Sequence, residues 1–116
     1  MIFGTHYGHV EDITSIVEHE LGVQLVRFDH PELGVSYAFV QKVDGDEEDV
    51  VEIASTQVYD EDEDRYVLSD PDYENYSYII YVNDGFPEMV EIFIKLIESG
   101  KIHATQIIST TNPEWL

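Results

Sequence analysis

This sequence predicts an α+β fold, with a mostly antiparallel sheet and two main helices packed on it. Three observations carry that prediction. Apolar residues recur at helical spacing in two stretches, residues 9–21 and 86–99. Between them lie short runs rich in β-branched and aromatic residues, separated by Asp, Gly and Pro. The chain has 116 residues, enough to bury one core but hardly two. It shows no linker and no internal repeat, so residues 1–116 read as one domain.

In the first helix, Val10, Ile13, Ile16, Val17 and Leu21 form the apolar stripe and Gly22 is the stop. Residues 23–28 read as a strand, and residues 29–34 as a turn punctuated by Pro31 and Gly34. Residues 35–43 are the clearest strand, with Val35, Tyr37, Phe39 and Val43 on one face. Asp44-Gly45-Asp46 is a hairpin signal, and residues 49–59 return as a strand carrying Val51, Ile53 and Tyr59. Residues 65–68 suit a short strand. Residues 76–82 are almost continuously apolar and aromatic, as in a central strand covered on both faces. The second helix opens near Pro87 and stops at Gly100. Its stripe of Met89, Val90, Phe93 and Ile97 is widened by Ile92, Ile94 and Leu96, which implies deep burial. Residues 102–108 read as a last strand, followed by a tail pinned by Trp115. The expected core is Val10, Ile13, Val17, Val35, Tyr37, Phe39, Ile53, Ile79, Tyr81, Val90, Phe93 and Ile97.

Charge is the unusual property. There are 25 acidic residues against 5 basic ones, a formal net charge of −20. A small domain carries a magnitude of about 2–8. Nucleic-acid backbones and anionic membranes are repelled by such a chain, whereas a cationic partner is attracted. The acids are concentrated: residues 44–74 hold 14 of the 25, with Arg65 as the one base among them. Two clusters dominate, Asp46-Glu47-Glu48-Asp49 and Asp60-Glu61-Asp62-Glu63-Asp64, with Asp70 and Asp72 following. Burying them without positive partners is costly, so they are solvated or meet cations. Tyr59, Tyr66, Tyr73 and Tyr76 share this stretch, and tyrosines among acids suit a protein-binding surface. The expected partner-binding set is therefore both clusters with Tyr66, Asp70, Asp72 and Tyr73.

Catalytic chemistry finds little support. Cysteine is absent, which excludes disulfides, thiol nucleophiles and cysteine metal sites. No nucleophile elbow, P-loop or dinucleotide fingerprint occurs. His6 and His9 have H-x-x-H spacing, but a metal site needs further ligands, which Glu11 and Asp12 are the nearest to supply. The loops from Asp44 and Asp60 fail as EF-hands, with Asp49 and Arg65 where Gly is needed and Ser55 and Pro71 where Glu is needed. No cofactor is expected. The first residues have no basic segment before an apolar run, and no run approaches a membrane span, so the expectation is a soluble, cytoplasmic protein.

The stretch from His9 to Phe39 resembles the start of small immunity proteins that accompany bacterial polymorphic and contact-dependent toxins. The resemblance lies in a short helix ending Leu21-Gly22 and the polar turn Phe28-Asp29-His30-Pro31. It continues in Gly34-Val35-Ser36-Tyr37 leading into a strand, and later in Tyr78-Ile79-Ile80-Tyr81-Val82 before a helix. It implies a non-enzymatic cytoplasmic protein that binds a cognate toxin C-terminal domain, often a basic nuclease, and blocks its active site. It leaves the oligomeric state open. The alternative from a different class of targets is a nucleic-acid mimic directed at a DNA- or RNA-binding protein.

Overall fold

The computed structural model describes residues 1–30, 34–68 and 73–107, with the backbone alone at residues 30, 58–59 and 66–68. Eight strands and two helices follow in the order β1 Ile2–Thr5, α1 Val10–Leu21, β2 Val26–His30, β3 Gly34–Val43, β4 Asp46–Ser55, β5 Gln57–Asp60, β6 Arg65–Leu68, β7 Tyr78–Val82, α2 Pro87–Glu98 and β8 Thr105–Gln106. Six strands form one sheet in the order β2-β3-β4-β7-β1-β8, and β5-β6 form a separate hairpin. Every pairing is antiparallel. The α+β class read from the sequence is the one observed.

Both helices have the stop signals expected of them. Gly22 takes φ 64° after α1, a left-handed conformation that costs glycine nothing. Glu11 and Asp12 lie in the first turn of α1, where the exposed backbone N–H groups favour negative charge. Pro87 opens α2, and Gly100 follows it at φ 78°. There the N–H groups of Lys101 and Ile102 donate to the Leu96 carbonyl, closing the helix end. In the β3–β4 turn Asp44 and Gly45 have φ 54° and 88°, the two positive values a tight hairpin needs.

Both helices cover the same face of the sheet. Ile13 and Val17 of α1 and Phe93 and Leu96 of α2 pack with Phe3, Val51, Ile53, Ile80 and Val82. Registers explain the set: Tyr37 faces Ile53, Ile53 faces Ile80, and Ile80 faces Phe3. Cross-strand partners share a face, so one row crosses four strands beneath the helices. The Phe3 and Phe93 rings stack with centroids 6.2 Å apart.

Several sequence expectations need correction. Val35 and Tyr81 are each 37% exposed, outside the core that the sequence predicts for them. Ile79 is half-buried on the sheet face away from the helices, and Ile80, Val82 and Phe3 take the central places. β7 lies inside the sheet, but the helices cover only one of its faces. The strand expected at 49–59 is broken at Thr56, which is 1% exposed. Its N–H donates to the Ser77 carbonyl at 3.1 Å, its Oγ1 lies 2.6 Å from the Tyr76 carbonyl and 3.0 Å from that of Ser77, and beyond it β5 leaves the sheet. Of the expected strand at 102–108, only Thr105–Gln106 pairs as β8, and residue 108 and Trp115 lie outside the described residues. β1 has no counterpart in the sequence reading, yet it lies between β7 and β8.

Candidate functional site

The first acidic cluster occupies the start of β4. Asp46, Glu47, Glu48 and Asp49 are all exposed, opposite Val43, Lys42, Gln41 and Val40 of β3. The ladder register shifts between Phe39 and Val40, so β4 has an extra residue there, Val50, which is 1% exposed. Asp49 then faces Val40 and Glu47 faces Lys42. Strand alternation puts these two carboxylates on the sheet face away from the helices.

The second cluster forms the β5–β6 turn. Asp60 pairs with Arg65 across the hairpin, and Glu61, Asp62, Glu63 and Asp64 are exposed. Part of this cluster organises its own turn. The Asp60 carboxylate accepts from the Asp62 and Glu63 N–H groups at 2.9 and 3.4 Å. Glu63 pairs with Arg65 at 2.7 Å, and Asp64 has φ 52°. The two clusters belong to different sheets and leave from opposite ends of β4, whose ten residues span roughly 30 Å. Tyr66 is placed by its backbone opposite Tyr59. Tyr73 is half-buried, and its carbonyl accepts from the Tyr76 N–H. Asp70 and Asp72 lie outside the described residues.

The bases are dispersed among the acids. Arg27 pairs with Asp29, Arg65 with Glu63, Lys95 with Glu91 and Lys101 with Glu20, at 2.7 to 3.5 Å. Lys42 faces Glu47 across the hairpin. Surface pairs of this kind add about 0–1 kcal/mol each. Their electrostatic effect is to leave no concentration of positive charge around the five bases.

A polar knot gathers residues at the other end of the sheet. The Thr5 hydroxyl donates to the Tyr78 carbonyl, and the Ser77 hydroxyl lies 2.6 Å from the Tyr7 carbonyl. This holds His6 and Tyr7 beside Tyr76. The His6 ring lies 5.2 Å from that of Tyr76, and the Tyr7 hydroxyl accepts from the His103 N–H at 2.9 Å. An open cleft of about 480 Å³ lies here, lined by His6, Tyr7, Ile97, Ile102 and His103. His9 instead precedes α1 as its N-cap. The H-x-x-H pair therefore divides between a tilted ring contact and a helix start. Among the described residues no three His, Asp or Glu side chains gather as metal ligands.

The sequence reading missed one surface. The sheet face away from the helices carries the row Val26, Ala38, Glu52, Tyr81 and Ile2, one residue from each of five adjacent strands. Beside it runs Phe28, Ser36, Ala54 and Ile79, ending at Gly4 under the Tyr76 ring. Val26 is 51% exposed, and Phe28 and Tyr81 are 37% exposed. Strand alternation signals such a face, but only pairing shows that five strands align it.

No helix among the described residues is long and apolar enough to cross a membrane. Compared with known proteins, the chain matches no family model, no curated protein and no solved structure.

Proposed function

We propose that this protein is an immunity-type inhibitor that binds a cationic toxin domain, of nuclease type, and neutralises it by occupying its basic face. It acts by association, without chemistry of its own, in the cytoplasm of the cell it protects. The observation that carries this reading is the exposed excess of negative charge in two clusters, where Lys42 and Arg65 are the bases alongside. Asp46 to Asp49 project from a sheet hairpin, and Glu61 to Asp64 cap a second hairpin. A nuclease attracts polyanions, so its active face is basic. A surface of this sign steers it into encounter and speeds association.

The test is binding and protection. The toxin C-terminal domain encoded beside this chain's gene is titrated with the protein in stopped-flow and calorimetric experiments, and co-expression is scored for growth. Expected are a 1:1 complex, rescue of growth, and an association rate that falls with salt as screening shortens to about 8–10 Å. Absence of binding and of rescue would refute the proposal.

A further inference from the structure

The sheet face away from the helices borders the first acidic cluster. In β3, Ser36, Ala38, Val40 and Lys42 alternate onto the side away from the helices. Across from them in β4 stand Ala54, Glu52, Asp49 and Glu47. The first row therefore carries Glu52 within it, and both rows border two exposed carboxylates, Asp49 and Glu47. From Val26 through Ala38, Glu52 and Tyr81 to Ile2, five strands at ~4.8 Å spacing give a row roughly 19 Å long. Ala38 is buried between its neighbours, and Val26, Phe28 and Tyr81 supply the exposed apolar surface, which with a polar rim marks an interaction site.

The layer also contains a polar group left unmet. Ser36 is 4% exposed, and its Oγ finds no hydrogen-bond partner among the described residues. A buried hydroxyl in that state is unfavourable, and native structures retain few of them. It sits in the second apolar row, between Phe28 and Ala54.

From this juxtaposition we infer that the β2-β3-β4-β7 face, presenting Val26, Phe28 and Tyr81 and edged by Glu47 and Asp49, is where the cationic partner docks. The inference rests on the inhibitor reading and moves the anchor of the complex from the acidic β5–β6 turn to the sheet. Charge complementarity selects the occupant. A second copy would bring another −20 against this face, whereas a basic domain satisfies Glu47 and Asp49 while its apolar side chains cover Val26 and Tyr81. Division of labour follows: the carboxylates set the encounter rate, and the desolvated apolar row sets the lifetime.

The experiment uses the full chain against a panel of purified cationic nuclease-toxin domains, beginning with one encoded beside it. Val26→Ser and Tyr81→Ser remove apolar surface without changing charge, and each is first checked for unaltered thermal unfolding. Expected is a dissociation rate raised about tenfold by Tyr81→Ser, with association unchanged. A photo-crosslinking side chain at position 26 should capture the partner, and one at position 61 should not. Should Tyr81→Ser fail to fold, Val26→Ser and the crosslinks decide alone. Binding that is unaffected by both variants, with capture only from position 61, would overturn this placement and leave the inhibitor reading standing. Absence of binding by the unaltered chain to every domain would defeat both. A dimer of the chain alone that Val26→Ser dissociates would assign the face to a second copy and also overturn the inference.

Discussion

The ring of Tyr76 packs directly on the backbone of Gly4, in the space a side chain at that position would fill. A Cβ built on Gly4 would overlap Cγ and Cδ1 of the ring. Gly4 is not among the residues with positive φ, so the requirement is room rather than backbone conformation. Gly4→Ala should force the ring away and disturb its contact with His6. The expected loss is about 1–3 kcal/mol, as for overpacking, read as a lower melting temperature. Unchanged stability would show that the ring moves aside freely.

The hydroxyl of Tyr7 accepts from the His103 N–H at 2.9 Å, joining two segments 96 residues apart. Tyr7→Phe keeps the ring and removes that acceptor. The expected cost is about 1 kcal/mol, with faster hydrogen exchange at the His103 amide. An unchanged exchange rate would count against this bond as the tether of the segment before β8.

Ser36→Ala should stabilise the protein, because it removes a buried hydroxyl with no partner among the described residues. A gain of about 1 kcal/mol is expected, visible as a higher urea midpoint with an unchanged slope. A loss of stability would mean that the hydroxyl is satisfied in solution.

The acidic turn can be neutralised without unfolding it, provided the replacements respect its geometry. Asn at position 60 retains an acceptor for the Asp62 and Glu63 N–H groups, and Asn at position 64 tolerates φ 52°. The variant Asp60→Asn, Glu61→Gln, Asp62→Asn, Glu63→Gln, Asp64→Asn should keep its melting temperature or gain slightly from relieved repulsion. Its association with a basic toxin domain should be slower and less salt-dependent. Asp60→Ala alone should cost about 1 kcal/mol through loss of the turn bonds. A five-fold variant with wild-type association kinetics would confine the steering charge to Asp46, Glu47, Glu48 and Asp49.

Features encoded within a few residues were legible in the sequence. Both helices follow from i, i+3, i+4 apolar spacing, with Gly22 and Gly100 as stops, because those signals act within one or two turns. The β3–β4 hairpin follows from Asp44-Gly45, since few residues accept two successive positive φ values. The acidic clusters are equally local, and apart from half-buried Asp60 they are exposed as their mutual repulsion requires.

Tertiary pairing decided the rest. Ile2-Phe3-Gly4-Thr5 is too short to declare itself, and it becomes a strand because Tyr78–Val82 and Thr105–Gln106 flank it. In Tyr78-Ile79-Ile80-Tyr81-Val82 every second residue faces the helices, but an unbroken apolar run does not say which. The register to Ile53 and Phe3 places Ile80 inside and leaves Ile79 and Tyr81 on the other face. Thr56 ends β4 through hydrogen bonds to carbonyls twenty and twenty-one residues away, a length of chain over which no local pattern acts. The bulge at Val50 sets Asp49 and Glu47 beside the apolar rows. Composition determined how much negative charge the protein carries, and strand register determined which face it borders, because a one-residue change of register turns every side chain to the opposite face.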